Sequence, residues 1–255
     1  TSAKGHLKLA ESTPSFTTTL RWKKADNFQL TKRDFESFWG FYWLYKDFPE
    51  NEMAENFIYA AFASSNSVKE REKSIELGEE YLANEKWEKF RADVTFIMAN
   101  AYRQEAENLK QIAVSLQNEL GTVERDRAAK ALEKSEEYYD RFFKICNQFI
   151  EIMPEHKYAK EFVGMMGAVY FKGKKFNQLL EKFAGFENGK MNKSKGYVNR
   201  SEFHKSPAMP TAHYMSGLAL LASGKFNEAK PLLGAVVGVN IEGLELGEFA
   251  SEEGE

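Results

Sequence analysis

The chain has 255 residues, 43% of them hydrophobic and 29% charged, a balance that permits a sizeable folded core and excludes a disordered chain. With 35 basic against 38 acidic residues, the net charge of −3 argues against a dedicated nucleic-acid binder, which needs an excess of lysine and arginine to neutralise phosphate. Cys146 is the only cysteine, so no intrachain disulfide can form, and among Phe142, Phe143 and Phe149 it reads as a small buried hydrophobe. No apolar run approaches the roughly 20 residues that a membrane-spanning helix needs. Because the chain opens on Thr1, a cytoplasmic and an exported, periplasmic location are both kept as expectations.

Residues 1–30 read as an irregular N-terminal arm. Pro14 and the β-branched Thr17, Thr18 and Thr19 disfavour helix, while Trp22 and Phe28 would pin the arm to the body. Thr31 is the expected N-cap of the first helix, with Asp34 in its first turn. From there to about Val237 no segment sustains the period-two alternation of a half-buried strand, so the predicted fold is all-α.

Lys32–Phe48 is an aromatic helix. Eight of the fourteen residues from Phe35 to Phe48 are Phe, Trp or Tyr, and Pro49 ends the run. Phe38, Phe41, Leu44 and Tyr45 share one face by helical spacing. Trp39, Tyr42 and Trp43 lie on the other sides, so the helix is apolar all round and needs covering. Leu20 and Trp22 of the arm are expected to cover part of it, leaving Trp39 and Trp43 for a subunit or partner contact.

Helix pairs follow at a scale typical of repeats. First helices with small or aromatic contact residues, at 56–62, 96–102, 165–171 and 215–221, are each followed by an amphipathic second helix. A single pair cannot bury its own apolar face, so such pairs must stack. Between Trp87 and Met153 the only clear break is Gly121-Thr122, which predicts a long hairpin over 87–153 with helices of about 45 Å at 1.5 Å per residue. Its far end is expected to zip through Ile112, Leu116 and Leu120 against Ala128, Ala129 and Leu132.

Residues 186–209 read as a long polar loop holding Lys190, Lys193, Lys195, Arg200 and Lys205, either a solvated linker or a contact for an acidic partner. Residues 239–255 form an acidic C-terminal tail with Ile241, Leu244, Leu246 and Phe249 among six glutamates, offered as a docking segment.

The last pair, HYMSGLALL followed by ASGKFNEAKPLL, resembles a tetratricopeptide repeat (TPR), with Gly217, Leu220, Gly224, Phe226 and Ala229 at the family spacing. MANAYRQ is similar to a TPR first helix through Ala99 and Tyr102, and the third pair matches at Gly167, Tyr170, Phe176 and Phe183. Leu179 departs from the small residue usual there, and Phe57 and Ala60 exchange the small and aromatic positions in the first pair. The resemblance covers residues 31–238 and implies a TPR-like α-solenoid of stacked helical hairpins with one unusually long central hairpin. It also implies a groove lined by Ala54, Ile58 and Ala61, then Phe96, Asn100 and Arg103, then Gly164, Ala168 and Phe171, then Tyr214, Leu218 and Leu221. Only Asn100 and Arg103 suit the family's carboxylate clamp, so an apolar or mixed ligand fits this groove better.

No feature points to catalysis or to a cofactor. His6, His156, His204 and His213 form no metal-ligand spacing, no HExxH or GxSxG context occurs, and no strand leads into a glycine-rich phosphate loop. The expected function is a non-enzymatic protein–protein interaction scaffold, self-association included. Its partner site would be Ile58, Phe96, Asn100, Arg103, Phe171, Tyr214 and Leu218 together with Trp39 and Trp43. The alternative is a carrier of a small hydrophobic ligand in an aromatic-lined cleft.

Overall fold

The structure, a computed structural model, describes residues 14–240 apart from 69, 118–120, 188–189 and 193. The acidic tail proposed as a docking segment, beyond Asn240, lies outside these residues, as does His6. The chain is all-α apart from a two-residue antiparallel ladder, and it divides into two units between Phe142 and Phe143.

In the first unit the described part of the arm, residues 14–30, is not irregular. Pro14–Leu30 is a helix, α1. Pro14 stands at its first position, where the missing N–H would have had no partner, and no glycine or further proline follows before Gly40. The three threonines each carry a penalty of about 0.7 kcal/mol or less, which packing on α2 (Asp34–Asp47) outweighs. That packing is close. Ala25 is buried, a Cβ added at Gly40 would sit 2.9 Å from the Ala25 Cβ, and the Ser37 hydroxyl donates to the Ala25 carbonyl at 3.3 Å. Leu20 and Trp22 stay exposed, so Ala25 rather than either of them covers the aromatic helix. Thr31 does not cap α2 either; its hydroxyl donates back to the Asn27 carbonyl at 2.8 Å and closes the end of α1.

Helices α3 (Ala54–Ser67), α4 (Arg71–Ala83) and α5 (Arg91–Gln117) follow, each packed on its predecessor. Phe38, Leu44, Phe57, Phe62, Leu77 and Met98 are fully buried between them. A polar clasp fixes the α4–α5 turn. The Tyr81 hydroxyl donates to Glu55 Oε1 at 2.5 Å and accepts the Phe90 N–H at 2.9 Å, while the same carboxylate oxygen accepts the Lys89 N–H at 2.9 Å.

Helix α6 (Thr122–Ile152) contributes its residues through Phe142 to this unit. It meets α5 through small residues, among them Ala128 of the expected zip; Leu116 and Leu132 are half-buried, and Leu120 lies outside the described residues. Ala106, Ala113, Ala128 and Ser135 are buried, the Ser135 hydroxyl donates to the Ala106 carbonyl at 2.7 Å, and Ile112 and Ala129 face solvent. The heptad spacing of 106 with 113 and of 128 with 135 makes that seam, and alanine and serine let the two backbones approach. Glu79 of α4 joins the hairpin by accepting the Tyr102 hydroxyl and the Arg141 guanidinium, each at 2.8 Å.

The second unit holds the last residues of α6, then α7 (Tyr158–Lys172), α8 (Phe176–Ala184), α9 (Met209–Ala222) and α10 (Phe226–Asn240). Helix α7 packs on α8 and α9, and α9 also packs on α8 and α10. Cys146 is fully buried here. The loop after α8 is not a solvated linker. Phe186–Glu187 (β1) pairs with Lys190–Met191 (β2), two 3-10 turns follow at Tyr197–Asn199 and Ser201–Phe203, and Phe186, Tyr197, Val198 and Phe203 are buried. The apolar residues spaced through a basic sequence fold it down. Two of its cations are already paired, Lys195 with Glu187 and Arg200 with Glu151 at 2.9 Å.

Five tyrosines carry a consequence for stability. Burial first, and a carboxylate neighbour second, raise the hydroxyls of Tyr45, Tyr81 and Tyr102 well above the ordinary tyrosine range. Burial does the same for Tyr197 and pushes Tyr170 up to about 12. The folded state therefore holds these protons more tightly than the unfolded chain. Their stabilisation is complete below the unfolded value near 10 and is lost as pH rises from there through the folded values. Urea midpoints should be level from neutral pH to about 9 and fall steadily above about 10. A midpoint unchanged between pH 9 and 11 would overturn this reading.

Candidate partner-binding surface

Helix α2 is two-faced. Phe38, Phe41, Leu44 and Tyr45 point into the core, whereas Phe35, Trp39 and Trp43, spaced four apart, form a row on the outside. Phe35 is 58% exposed and Trp43 51%. Trp39 sits between them, 6.4 Å from the Phe35 ring and 6.3 Å from the Trp43 ring by centroid, the tryptophan pair stacked at 24°. Aromatic rings held against one another in this way are already partly ordered, so little side-chain entropy remains to be lost when a partner covers them.

Helix α1 supplies the second wall. Between Arg21, Lys24 and Phe28 on one side and the aromatic row on the other lies an apolar groove of about 460 Å³, floored by Ala25 and Gly40. Its electrostatics are one-sided. Glu36 is the only acid of the lining, and Arg33, hydrogen-bonded to it at 2.5 Å, holds its carboxyl below the usual carboxylate range. Arg21 forms an ion pair with Asp47 at 2.7 Å, and Lys24 lies 5.8 Å from the Phe28 ring centre. The groove thus offers aromatic surface with cations along its rim.

The residues expected to line a groove of first helices are placed as follows. Ile58 is buried to 0% exposure, and Ala54 and Ala61 are buried too, so these three form core and offer nothing to a partner. They were assigned to a groove by repeat position alone, but the neighbouring helices enclose them. Phe96, Asn100 and Arg103 stand half-buried along α5 in the first unit. Arg103 is engaged with Glu107 at 3.6 Å and with the Asn100 side-chain oxygen at 3.4 Å. In the second unit Phe171 packs edge-on to Phe176 at 5.2 Å, Leu218 is half-buried and Tyr214 is 46% exposed. Of the expected partner residues, Trp39 and Trp43 are the pair that share one open groove.

Arg21, Lys24 and Phe28 were not foreseen as site residues, because the helix that carries them was not. The unbroken run without glycine or proline from Ser15 to Trp39 was the available signal. Among the described residues no cluster of three or more His, Cys, Asp or Glu side chains is placed to hold a metal ion, and no helix is long and apolar enough to cross a membrane. Comparison with protein-family models, with curated proteins and with solved structures returned no match.

Proposed function

We propose that this chain is a TPR-like helical-repeat scaffold that binds a protein partner, and that the α1–α2 groove takes an acidic amphipathic segment of that partner. The observation that carries the proposal is the outward row Phe35, Trp39 and Trp43 facing Arg21 and Lys24 across an open groove. Tryptophan and arginine dominate interface hot spots, and an amphipathic helix is the usual occupant of such grooves. The rim favours acid: Glu36 is held by Arg33 and Arg21 by Asp47, so Lys24 is the charge of the lining that a partner segment meets.

The repeat reading is supported by the second unit. There α7 packs against both its own hairpin partner α8 and the next first helix α9. Gly217, at the family's small position, meets its hairpin partner so closely that a Cβ would lie 2.5 Å from the Leu233 side chain.

Charge reversal provides the experiment. Wild-type chain and the Lys24→Glu variant, immobilised side by side, should retain different proteins from native extract. One or more species held by the wild type should be lost from the variant and released by raised salt. Identical retention on both surfaces would refute the groove as the binding site. A small apolar ligand is the alternative occupant, since about 460 Å³ lies within the range of small-molecule sites. A co-purifying small molecule in the native mass spectrum would select that reading.

A further inference from the structure

A second cavity, also of about 460 Å³, is lined in the first unit by residues of α3, α4 and α5 and shares none of them with the aromatic groove. Its lining is of a different kind. Ile75, Ile97 and Ala101 form an apolar wall, Ser65, Ser74, Asn100 and Gln104 supply hydroxyls and amides, and Arg71 and Glu105 complete it.

Ser74 is the informative residue. It is 1% exposed, it lines the cavity, and its hydroxyl has no hydrogen-bond partner among the described residues. Leaving such a group unsatisfied is unfavourable, and a buried hydroxyl of this kind ordinarily has a partner. The Ser65 and Asn100 side chains of the lining are engaged elsewhere. The Ser65 hydroxyl donates to the Phe62 carbonyl at 2.5 Å and the Asn100 amide donates to the Phe96 carbonyl at 3.2 Å. Arg71 and Glu105 face each other at 3.5 Å, too far for a strong charge-assisted bond.

We propose that this cavity binds a free α-amino acid. Arg71 takes the α-carboxylate, Glu105 takes the α-ammonium, and the side chain enters along Ile75 and Ile97 to place a polar end on the Ser74 hydroxyl. The spacing of the charges argues for this class. An α-amino acid carries its nitrogen and carboxyl carbon about 2.5 Å apart, as backbone bond lengths require. Opposite charges 3.5 Å apart on the protein can engage both at once. A longer peptide separates its termini by several residues and cannot. A purely apolar ligand would leave Ser74 unsatisfied, so the side chain that fits has an apolar stem and a polar end, as in glutamine.

The test is a thermal-unfolding screen of the purified chain against each of the common L-amino acids. L-glutamine at about a hundred times its dissociation constant should raise Tm by about 5 °C. The N-acetyl and carboxamide derivatives, each lacking one charge, should raise it by less than about 1 °C on the same scale. Arg71→Gln should abolish the shift. Ser74→Ala should lose most of it while melting no lower than wild type without ligand, because the lost hydroxyl had no partner. The proposal is overturned if none of the amino acids shifts Tm, if the blocked derivatives shift it equally, or if both variants respond as wild type does.

Discussion

Alanine at both Trp39 and Trp43 is expected to weaken partner binding by roughly a thousandfold while leaving the first unit folded. Truncating a central aromatic hot spot costs about 2 kcal/mol or more, and 1.4 kcal/mol is tenfold in affinity, so two such losses give about 4 kcal/mol. Folding should survive because these rings lie outside the core; Trp43 touches Trp39 and Tyr42 and is half exposed. Phe38→Ala is the contrasting change. That side chain is fully buried, and its loss should destabilise the chain by about 3–5 kcal/mol. Interferometry against the partner isolated on wild-type chain, with circular-dichroism melts of each variant, separates the two effects. Binding by the double variant within about threefold of wild type, well inside the hot-spot range, would move the interface off α2. The exposed Ile112, Val114 and Val123 on the α5–α6 hairpin would then be the next surface to test.

Two glycines of like backbone but unlike surroundings should respond differently to alanine. Gly185 closes α8 with φ +70°, and Gly224 closes α9 with φ +73°. A Cβ at Gly224 meets nothing within 4 Å, so Gly224→Ala carries only the left-handed backbone penalty of about 1–2 kcal/mol. At Gly185 the Cβ would lie 2.3 Å from the Lys195 carbonyl oxygen and 2.6 Å from that of Asn192. Both are backbone atoms, and neither can rotate away. Avoiding them means displacing the loop that carries Tyr197, whose hydroxyl donates to Asn147 at 2.7 Å, and Arg200, which holds Glu151 through two bonds of 2.9 Å. Gly185→Ala should therefore cost about 2–5 kcal/mol, the backbone term plus an overpacking term of about 1–3. Urea unfolding of both variants decides the matter. Equal destabilisation would mean that the loop yields freely and is not locked against the end of α8.

The all-α class was legible because helical spacing runs through most of the chain. Spacing alone assigned Phe38, Phe41, Leu44 and Tyr45 to the inward face of α2, although Tyr42, expected on an outer side, is buried with them. Helix α1 was not legible. Its propensities are weak, and what stabilises it is the approach of Ala25 to Gly40, a contact between residues that no local pattern joins. The basic loop misled for the same reason. Its charges dominate its composition, but its fold is decided by a few aromatic residues that pack inside the second unit. Repeat position placed Ile58 on a groove, yet burial depends on which helices enclose it. The cavity around Ser74 gathers residues from three helices, so no sequence spacing announces it.

The sequence by itself determined the helical class, the aromatic character of α2 and that these residues form no intrachain disulfide, since these depend on periodicity and composition. Tertiary structure alone decided which aromatic rings stay exposed, that a basic helix walls them into a groove, and that a buried serine faces a cavity. Those properties depend on which distant residues meet, and so on side-chain packing summed over several helices rather than on the propensity of any one.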